Sequence, residues 1–340
     1  MKVGFITGIT GQDGSYLAEL LLEKDYTVFG LIRRSSNFNT QRIQNIFENP
    51  KLNLRYGDLL DIVSIINILN EIKLLKSTVI EFYNLAAQSH VKVSFDLPVF
   101  STQINSIGTL NCLEAIRQTL LVEKVKFYQA STSELYGDVL ELQQSETTPF
   151  NPVSPYAIGK LYSYWIIKNY KNAYNMFCCT GILFNHESPR RGGTFVTKKI
   201  IDGVKNITSN KQECIYLGNI NARRDWGHAK DYVRAMWMML QRDTPEDYVV
   251  STNTTISVRE FVEKSFKFKG VDIVWEGEGL EEVGKDKDNG KILVRISDKY
   301  FRPCEVENLY GDSTKIRNEL GWKPTYNTES LIEDMFNNLN

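Results

Sequence analysis

Residues 3–14 read VGFITGITGQDG, an apolar run followed at once by glycines at positions 8, 11 and 14. The apolar run predicts a buried strand, and residues 16–24, with leucines on one face, predict a helix. Glycines between a strand and a helix allow a tight turn and let backbone N–H groups approach a pyrophosphate at the positive end of the helix. The spacing G-x-x-G-x-x-G departs from the usual G-x-G-x-x-G, so a turn that only packs the helix on the strand stays open.

The pattern of the first segment continues through the first half of the chain. Predicted strands alternate with runs that are apolar at helical spacing, an order typical of βαβ units and of a parallel sheet in an α/β fold. The predicted strands are 3–6, 27–32, 52–56, 80–85 and 125–130, and the predicted helices are 16–24, 62–75 and 107–121, with a further long helix starting at about residue 156.

Length and charge set wider bounds. A chain of 340 residues is long enough for two domains or for one large α/β unit. The 40 lysines and arginines nearly balance the 41 aspartates and glutamates, giving a net charge of −1. Such a balance provides no long-range attraction to a polyanion, so we expect no nucleic-acid partner.

Cysteine and histidine usage bears on compartment and metal content. The five cysteines have no C-x-x-C spacing and the three histidines are far apart, so neither a disulfide framework nor a metal site is predicted. The N-terminal apolar run is too short for a signal peptide, and no apolar stretch approaches the ~20 residues that span a bilayer. We therefore expect a cytoplasmic protein that does not bind membranes.

The end of the second predicted strand bears on the choice of cofactor. A site for NAD places an acidic residue there to bind the ribose 2′-hydroxyl. This chain instead has Arg33, Arg34, Ser35 and Ser36. Guanidinium and hydroxyl groups suit a 2′-phosphate, so the segment favours NADP over NAD. An exposed basic turn is the alternative interpretation.

A Tyr-x-x-x-Lys pattern places a phenol and an ammonium group on one face of a helix, where the cation can lower the pKa of the tyrosine and make it a base. The pattern occurs twice, as Tyr156/Lys160 and as Tyr164/Lys168. Ligands of open α/β sheets bind beyond the carboxyl ends of the strands, and the first pair follows a proline-rich loop at the start of its helix. We therefore assign catalysis to Tyr156 and Lys160 and a structural role to the second pair.

The predicted strand 125–130 ends in Ser131-Thr132-Ser133-Glu134. This end delivers a hydroxyl and a carboxylate to the same crevice. Thr132 is placed to hydrogen-bond a substrate hydroxyl, and Glu134 is placed to move a proton. Because S-x-x-E is also a capping-box pattern, a simple helix start is the alternative.

Taken together, these motifs resemble the extended short-chain dehydrogenase/reductase superfamily and, within it, the GDP-mannose 4,6-dehydratase family. The resemblance covers nearly the whole chain, including residues 6–24, 33–43, 185–197 and 301–312. It implies a Rossmann-type doubly wound parallel sheet with a smaller α/β C-terminal substrate domain. The implied domains are an NADP-binding unit at 1–184, to which about 226–258 returns, and a sugar-nucleotide unit at 185–340.

The resemblance also implies roles for individual residues. The implied catalytic residues are Thr132, Glu134, Tyr156 and Lys160. The residues implied to bind NADP are Gly8, Ile9, Thr10, Gly11, Gln12, Asp13, Arg33, Arg34, Ser35, Ser36, Asp58, Leu59, Leu85, Ala86, Ala87, Gln88, Ser89, Phe100, Tyr156, Lys160, His186 and Arg191. Those implied to bind GDP-mannose are Ser89, Thr132, Ser133, Glu134, Tyr156, Asn185, Glu187, Lys199, Gly218, Arg224, Arg302 and Glu305.

Two positions depart from the family pattern. Phe100 stands where members often have a tyrosine near the cofactor, so we expect one hydrogen bond fewer there. Cys304 replaces a threonine between Arg302 and Glu305, which leaves the arginine and the glutamate in place.

The implied reaction is oxidation of GDP-mannose at C4, elimination of water across C5 and C6, and return of hydride to C6, giving the GDP-4-keto-6-deoxymannose from which GDP-fucose, GDP-rhamnose and other deoxyhexoses are made. A sugar-nucleotide 4-epimerase, a 4-keto reductase and a non-catalytic NADP-sensing protein are the alternatives. An epimerase needs no acid at Glu134, so that residue favours the dehydratase. The family forms homodimers and homotetramers in which the loop 33–43 reaches a neighbouring subunit, and we expect a tetramer.

Overall fold

The structure is a computed structural model that describes residues 1–338. The strands are β1 Val3–Thr7, β2 Thr27–Ile32, β3 Leu52–Tyr56, β4 Ile80–Asn84, β5 Val125–Ala130, β6 Phe177–Leu183, β7 Asn185–Glu187, β8 Ile215–Leu217, β9 Arg223–Arg224, β10 Trp226–His228, β11 Tyr248–Val250, β12 Ile256–Ser257, β13 Ile273–Glu276, β14 Val283–Asp286, β15 Ile292–Ile296 and β16 Asn308–Leu309. The α-helices are α1 Gln12–Glu23, α2 Ile62–Leu74, α3 Val91–Asp96, α4 Pro98–Thr102, α5 Gly108–Gln118, α6 Pro155–Tyr174, α7 Val196–Thr208, α8 Ala229–Leu240, α9 Val258–Phe268, α10 Thr314–Leu320 and α11 Thr328–Asn337. Short 3-10 helices lie at Gln41–Ile46, Ser133–Leu135, Gly279–Glu281 and Asp298–Tyr300, and a π turn lies at Gln103–Ile107.

Seven strands form one parallel sheet in the order β11-β6-β5-β4-β1-β2-β3. Val3 of β1 pairs with Thr27 of β2 on one side and with Ile80 of β4 on the other. The chain thus runs outward from β1 in one direction and from β4 in the other, and a crevice opens beyond their carboxyl ends. This arrangement confirms the predicted Rossmann-type doubly wound sheet.

Helices cover both faces of this sheet, which explains why β1 and β2 are apolar along nearly their whole length, whereas β3 at the edge of the sheet alternates. On one face, α1 packs against α8, and buried Leu17 and Met236 belong to the same cluster. On the other face, α2 packs against α5, and buried Leu69 and Ile116 belong to a second cluster. Each face is therefore sealed from water, and the open edge beyond the strand ends is left for ligands.

The chain leaves the large sheet after β6 and returns to it at β11. Tyr248 of β11 pairs with Gly181 of β6, so the outermost strand comes from the second half of the sequence. Trp226 of β10 pairs with Asn185 of β7 close to the point where the chain leaves the sheet. The C-terminal region is tied to the same place, because His228 Nε2 lies 2.9 Å from Asp334 Oδ2 of α11.

A separate core lies in the second half. The strands β13, β14, β15 and β8 form a four-stranded sheet against which α7 and α9 pack, and α11 packs on these two helices. Its buried side chains include Ile200, Phe261, Val294 and Met335. Within residues 1–338, no helix is both long enough and apolar enough to cross a membrane.

Candidate active site

A cleft of about 1330 Å³ opens at the carboxyl ends of β1, β4 and β5 and extends toward the second core. Most of the residues proposed from the sequence line it. They are Gly8, Thr10, Gly11, Gln12, Asp13, Arg33, Asp58, Leu59, Leu85, Ala86, Ala87, Gln88, Ser89, Phe100, Thr132, Ser133, Glu134, Tyr156, Lys160, Asn185, His186, Glu187, Arg191, Lys199, Gly218, Arg224, Arg302 and Glu305.

Four of the proposed residues do not line the cleft. Ile9 is fully buried, and its side chain packs over Gly30 of β2. Arg34, Ser35 and Ser36 lie in the loop after β2, where both Arg34 and Ser36 are exposed. The position of Ile9 indicates that only its backbone can approach a ligand.

Two arginines that the sequence-based interpretation did not include also line the cleft, Arg42 and Arg190. Nε of Arg42 donates to the carbonyl oxygen of Arg190 at 2.8 Å, and its Nη1 donates to that of Thr10 at 3.3 Å. The short helix Gln41–Ile46 thus brings the guanidinium group of Arg42 to the glycine turn. No local pattern in the sequence signals this, because the chain returns to the cleft only after an exposed loop.

The glycine turn is built for close backbone approach. Gly8 has a φ of +71°, and a Cβ there would lie 2.8 Å from the backbone nitrogen of Ala86. A Cβ on Gly14 would lie 2.2 Å from the carbonyl oxygen of Gly8. Gly11 caps α1 without any side-chain hydrogen bond, so the first N–H groups of the helix are left for a ligand. Such a turn fits a dinucleotide diphosphate.

A second observation supports a polar ligand. The hydroxyl of Ser131, at the end of β5, is buried, lines the cleft and has no hydrogen-bond partner within the part of the chain that the structure describes. A buried polar group without a partner costs free energy, and a polar ligand in the cleft would supply that partner.

Thr132, Glu134, Tyr156 and Lys160 come together at one end of the cleft, and all four are buried. The α6 helix begins with Pro155 at its first turn, and the hydroxyl of Ser154 accepts a hydrogen bond from the backbone N–H of Ala157. This cap fixes the first turn of α6, which carries Tyr156 into the cleft. The second Tyr-x-x-x-Lys pair lies elsewhere, because Tyr164 packs on Phe150 with ring centroids 4.9 Å apart.

Burial dominates the electrostatics of the Tyr156/Lys160 pair. It raises the pKa of Tyr156 to about 12, although a hydrogen bond with Thr132 acts in the opposite direction. Burial also lowers the pKa of Lys160 to about 8. The lysine Nζ donates to the carbonyl oxygen of Ala130 at 2.8 Å. The expected lowering of the tyrosine pKa by the lysine is therefore not seen here: burial has the largest effect on the pKa of Tyr156, and the charges of Glu134 and Asp13 raise it further.

Charged side chains of opposite sign follow one another along the cleft, starting from Glu134. Glu134 Oε1 lies 3.3 Å from Arg302 Nη1 and Glu305 Oε1 lies 3.4 Å from Arg224 Nη2. Arg302 Nη1 is also 3.8 Å from Glu305 Oε1. Burial lowers the pKa of Arg224. Guanidinium groups with shared, partly buried carboxylate partners are suited to exchange them for the oxygens of a diphosphate.

Glu187 lines the cleft, but its carboxylate is already held by other side chains of the protein. Its carboxylate is almost fully buried, accepts a hydrogen bond from Thr197 Oγ1 at 2.6 Å and lies 3.0 Å from Arg191 Nε. The side chain therefore links α7 to Arg191, and these contacts occupy much of its capacity to bind a ligand.

Comparison with known proteins adds to this geometry. The family model described as GDP-mannose 4,6 dehydratase matches residues 5–335. The chain is 55% identical over 340 residues to the GDP-mannose 4,6 dehydratase of Cricetulus griseus, covering 98% of this chain and 90% of that protein.

Solved structures with about a fifth of the sequence in common have the same fold. A dTDP-glucose 4,6-dehydratase from Bacillus anthracis in complex with NAD has a TM-score of 0.79 at 20% identity, covering 99% of this chain and 96% of that one. RMD from Pseudomonas aeruginosa, complexed with NADPH, has a TM-score of 0.76 at 20% identity, covering 99% of this chain and 98% of that one.

Proposed function

Because the chain belongs to the GDP-mannose 4,6-dehydratase family, we propose that it converts GDP-mannose to GDP-4-keto-6-deoxymannose with a nicotinamide cofactor. The observation that carries the proposal is the position of Glu134. A carboxylate beside Tyr156 and Thr132 serves elimination of water, whereas oxidation or epimerisation at C4 requires no such group.

The first step is oxidation at C4. Tyr156, when ionised, takes the proton from the C4 hydroxyl, and Thr132 hydrogen-bonds the C4 oxygen. Lys160, fixed on the carbonyl of Ala130, supplies positive charge beside the forming phenol and the cofactor ribose. A nicotinamide bound here would supply the hydride acceptor for C4 and the hydride donor for C6, and the proton that C5 then needs balances the one that Tyr156 took from the C4 hydroxyl.

The second step is elimination. The C4 ketone makes the C5 proton acidic, and Glu134 removes that proton. The C6–O bond then breaks, and the leaving hydroxyl takes a proton from the protonated Glu134 and departs as water. Glu134 thus begins and ends the step as a carboxylate, which is the behaviour of a general base that becomes a general acid.

We assign NADP as the cofactor. Arg33, together with Arg34, Ser35 and Ser36, would bind the 2′-phosphate, and Arg42 supplies a further guanidinium in the cleft. The residues proposed to line the remainder of the cofactor site are Gly8, Ile9, Thr10, Gly11, Gln12, Asp13, Asp58, Leu59, Leu85, Ala86, Ala87, Gln88, Ser89, Phe100, His186 and Arg191. The cofactor-binding unit would comprise residues 1–184 and about 226–258.

The sugar nucleotide would bind between this unit and the second core. Lys199, Arg224 and Arg302 provide the positive charge for its diphosphate, and Glu305 provides an acceptor for N–H groups of guanine. The remaining residues proposed for this site are Ser89, Ser133, Asn185, Glu187 and Gly218. Since Phe38 in the loop after β2 is 82% exposed, we propose that this loop packs against a neighbouring subunit in a homodimer or homotetramer. The free cysteines suit the reducing cytoplasm.

One assay tests the proposed function. The purified protein is mixed with GDP-mannose and catalytic NADP, and the product is analysed by mass and by its absorbance in alkali. A product that has lost one water and carries a 4-ketone is expected. A sugar epimer of unchanged mass would indicate an epimerase, and unchanged GDP-mannose would contradict an enzymatic role. Net consumption of NADPH in a parallel reaction with excess NADPH would indicate a reductase.

A further inference from the structure

His186 is held from two sides by groups that only accept hydrogen bonds. Its Nδ1 lies 2.8 Å from the carbonyl oxygen of Phe184, and its Nε2 lies 2.7 Å from Oδ2 of Asp13. The ring is buried and stacks on that of Tyr232, with centroids 4.3 Å apart. A carbonyl cannot donate and an ionised carboxylate cannot donate, so both ring nitrogens must carry hydrogen. With Asp13 ionised, this geometry corresponds to an imidazolium cation paired with a carboxylate.

The surroundings of Asp13 favour its ionised form. Gln12 Nε2 donates to its Oδ1 at 3.0 Å, leaving Oδ2 for the imidazolium. Burial would raise the pKa of Asp13, but the charge and the hydrogen bond of His186 outweigh it, so that the pKa is lowered. Burial likewise would lower the pKa of His186, but Asp13 outweighs it and the pKa is raised. Both directions agree with an ion pair.

Three elements bring titratable or charged groups against this ring. Helix α1 contributes Asp13, helix α8 contributes Tyr232, and the loop after β7 contributes Arg191, whose charge acts against protonation of the ring. The ion pair with Asp13 is therefore the interaction that keeps the proton on His186.

Asp13 lies in the first turn of α1, beside the N–H groups that are proposed to bind the cofactor diphosphate. A carboxylate without a counter-charge at this point would repel a diphosphate. It also raises the pKa of Tyr156, because its negative charge disfavours the phenolate. A cation on Asp13 removes most of both effects.

The same segment is attached to the glycine turn by neutral hydrogen bonds. Gln12 Nε2 donates to the carbonyl oxygen of His186 at 3.0 Å, and the hydroxyl of Ser188 donates to Gln12 Oε1 at 2.8 Å. These contacts hold the imidazole against Asp13 whatever its charge. The proton on the ring can therefore change without release of the segment.

We propose that His186 is a positioning residue whose imidazolium charge neutralises Asp13, and that the dinucleotide binds more tightly while His186 is protonated. The inference rests on the proposed use of a nicotinamide dinucleotide. The family resemblance implies that His186 contacts the cofactor directly. Here His186 acts through Asp13 instead, so cofactor binding should no longer need the histidine once residue 13 carries no charge.

The test is a double-mutant cycle on cofactor binding. NADP is titrated calorimetrically into the wild-type protein, His186→Gln, Asp13→Asn and the double variant, with thermal unfolding of each as a check on folding. We expect His186→Gln to bind NADP about tenfold more weakly, which corresponds to a coupling of about 1.4 kcal/mol. The double variant should recover most of that loss. A double variant that binds no better than His186→Gln would overturn the proposal.

The pH dependence gives a second readout. Titrations run from pH 7 upward, above the titration of the 2′-phosphate, whose second pKa is about 6. The advantage of the wild-type protein over His186→Gln should fall as the pH rises and the imidazole loses its proton. Lys160 titrates in both proteins, so their ratio isolates the imidazole. A ratio that stays constant up to the highest pH at which both proteins remain folded would overturn the proposal.

Two further outcomes are informative. If His186→Gln does not fold, Asp13→Asn carries the test, since it must lose the same part of the pH dependence. If the wild-type protein binds neither NADP nor NAD, both this proposal and the proposed function are overturned, whereas binding without coupling overturns this proposal alone.

Discussion

Oε1 of Glu134 lies 3.3 Å from Nη1 of Arg302. The side chain proposed to move the C5 proton is thus hydrogen-bonded to one proposed to bind the diphosphate of the substrate. Arg302 approaches from the loop that follows the helix Asp298–Tyr300, and Glu134 lies at the end of β5. One contact thus joins the residue proposed to act at C5 to a residue proposed to bind the diphosphate.

Glu134→Gln should separate oxidation from elimination. The amide keeps the size of the side chain and can still accept from Arg302, but it cannot take the C5 proton. Formation of the 6-deoxy product should fall by at least about a hundredfold, while C4 oxidation still reduces bound cofactor. Stopped-flow absorbance of the reduced nicotinamide and mass analysis of the product measure the two steps. Glu329→Gln, an exposed acid paired with Lys264 on the second core, is the control; near-normal product release by Glu134→Gln would refute the assignment.

Lys160→Met should change how stability depends on pH. In the folded protein burial lowers the pKa of Lys160 to about 8 from 10.5, so between these values the unfolded chain binds more protons. The stability of the wild-type protein therefore gains from rising pH across this window, and the variant lacks that gain. From pH 7 to pH 10, the difference in free energy of unfolding should move in favour of the wild type by about 2 kcal/mol.

Urea unfolding at several pH values measures this effect. Lys168→Met is the matched control, since it removes the lysine of the second Tyr-x-x-x-Lys pair, whose side chain is 39% exposed. A pH-independent difference between Lys160→Met and the wild type would show that burial does not lower the pKa of Lys160.

Gly14→Ala should destabilise the protein although alanine is the better helix former. Its Cβ would lie 2.2 Å from the carbonyl oxygen of Gly8, so the glycine turn must move. We expect a loss of about 2 kcal/mol in the free energy of unfolding and weaker cofactor binding. Gly193→Ala is the control because it also lies in the cleft lining but its Cβ would meet nothing within 4 Å. Equal melting temperatures of the two variants would contradict the prediction.

Arg33→Gln should reduce the preference for NADP over NAD. The arginine lines the cleft at the end of β2, where a 2′-phosphate is proposed to bind. Loss of one charge-assisted hydrogen bond should weaken NADP binding about tenfold and leave NAD binding nearly unchanged. Lys51→Gln removes the same charge from a residue paired with Asp25 outside the cleft. If Arg33→Gln and Lys51→Gln weaken the binding of NADP and of NAD by the same factor, Arg33 does not bind the 2′-phosphate.

The large sheet was predictable wherever local pattern sufficed. Strands such as β1 and β2 are buried on both faces, so their apolar runs are visible in the sequence. Strand β11 was not identified, because it has three residues and forms only by pairing with β6 much earlier in the chain. Its position depends on long-range packing that no local pattern encodes.

The residues of the candidate site likewise fall into those that a local sequence pattern predicts and those that only long-range packing brings to the cleft. Tyr156 and Glu134 were found because each follows a predicted loop or strand end at a recognisable spacing. Arg42 was missed because its chain returns to the glycine turn after an exposed loop. The contact between His186 and Asp13 joins residues 173 positions apart. No local sequence pattern near either residue predicts it.

The place of β11 in the large sheet has a consequence during synthesis. Until residues 248–250 leave the ribosome, β6 has a free edge, and the face of α1 that packs on α8 is uncovered. Free edges and exposed apolar faces are where nascent chains aggregate. The N-terminal half is therefore complete in sequence long before it can be complete in structure. A nascent chain that stalls between 184 and 248 should depend on chaperones until its last strand arrives.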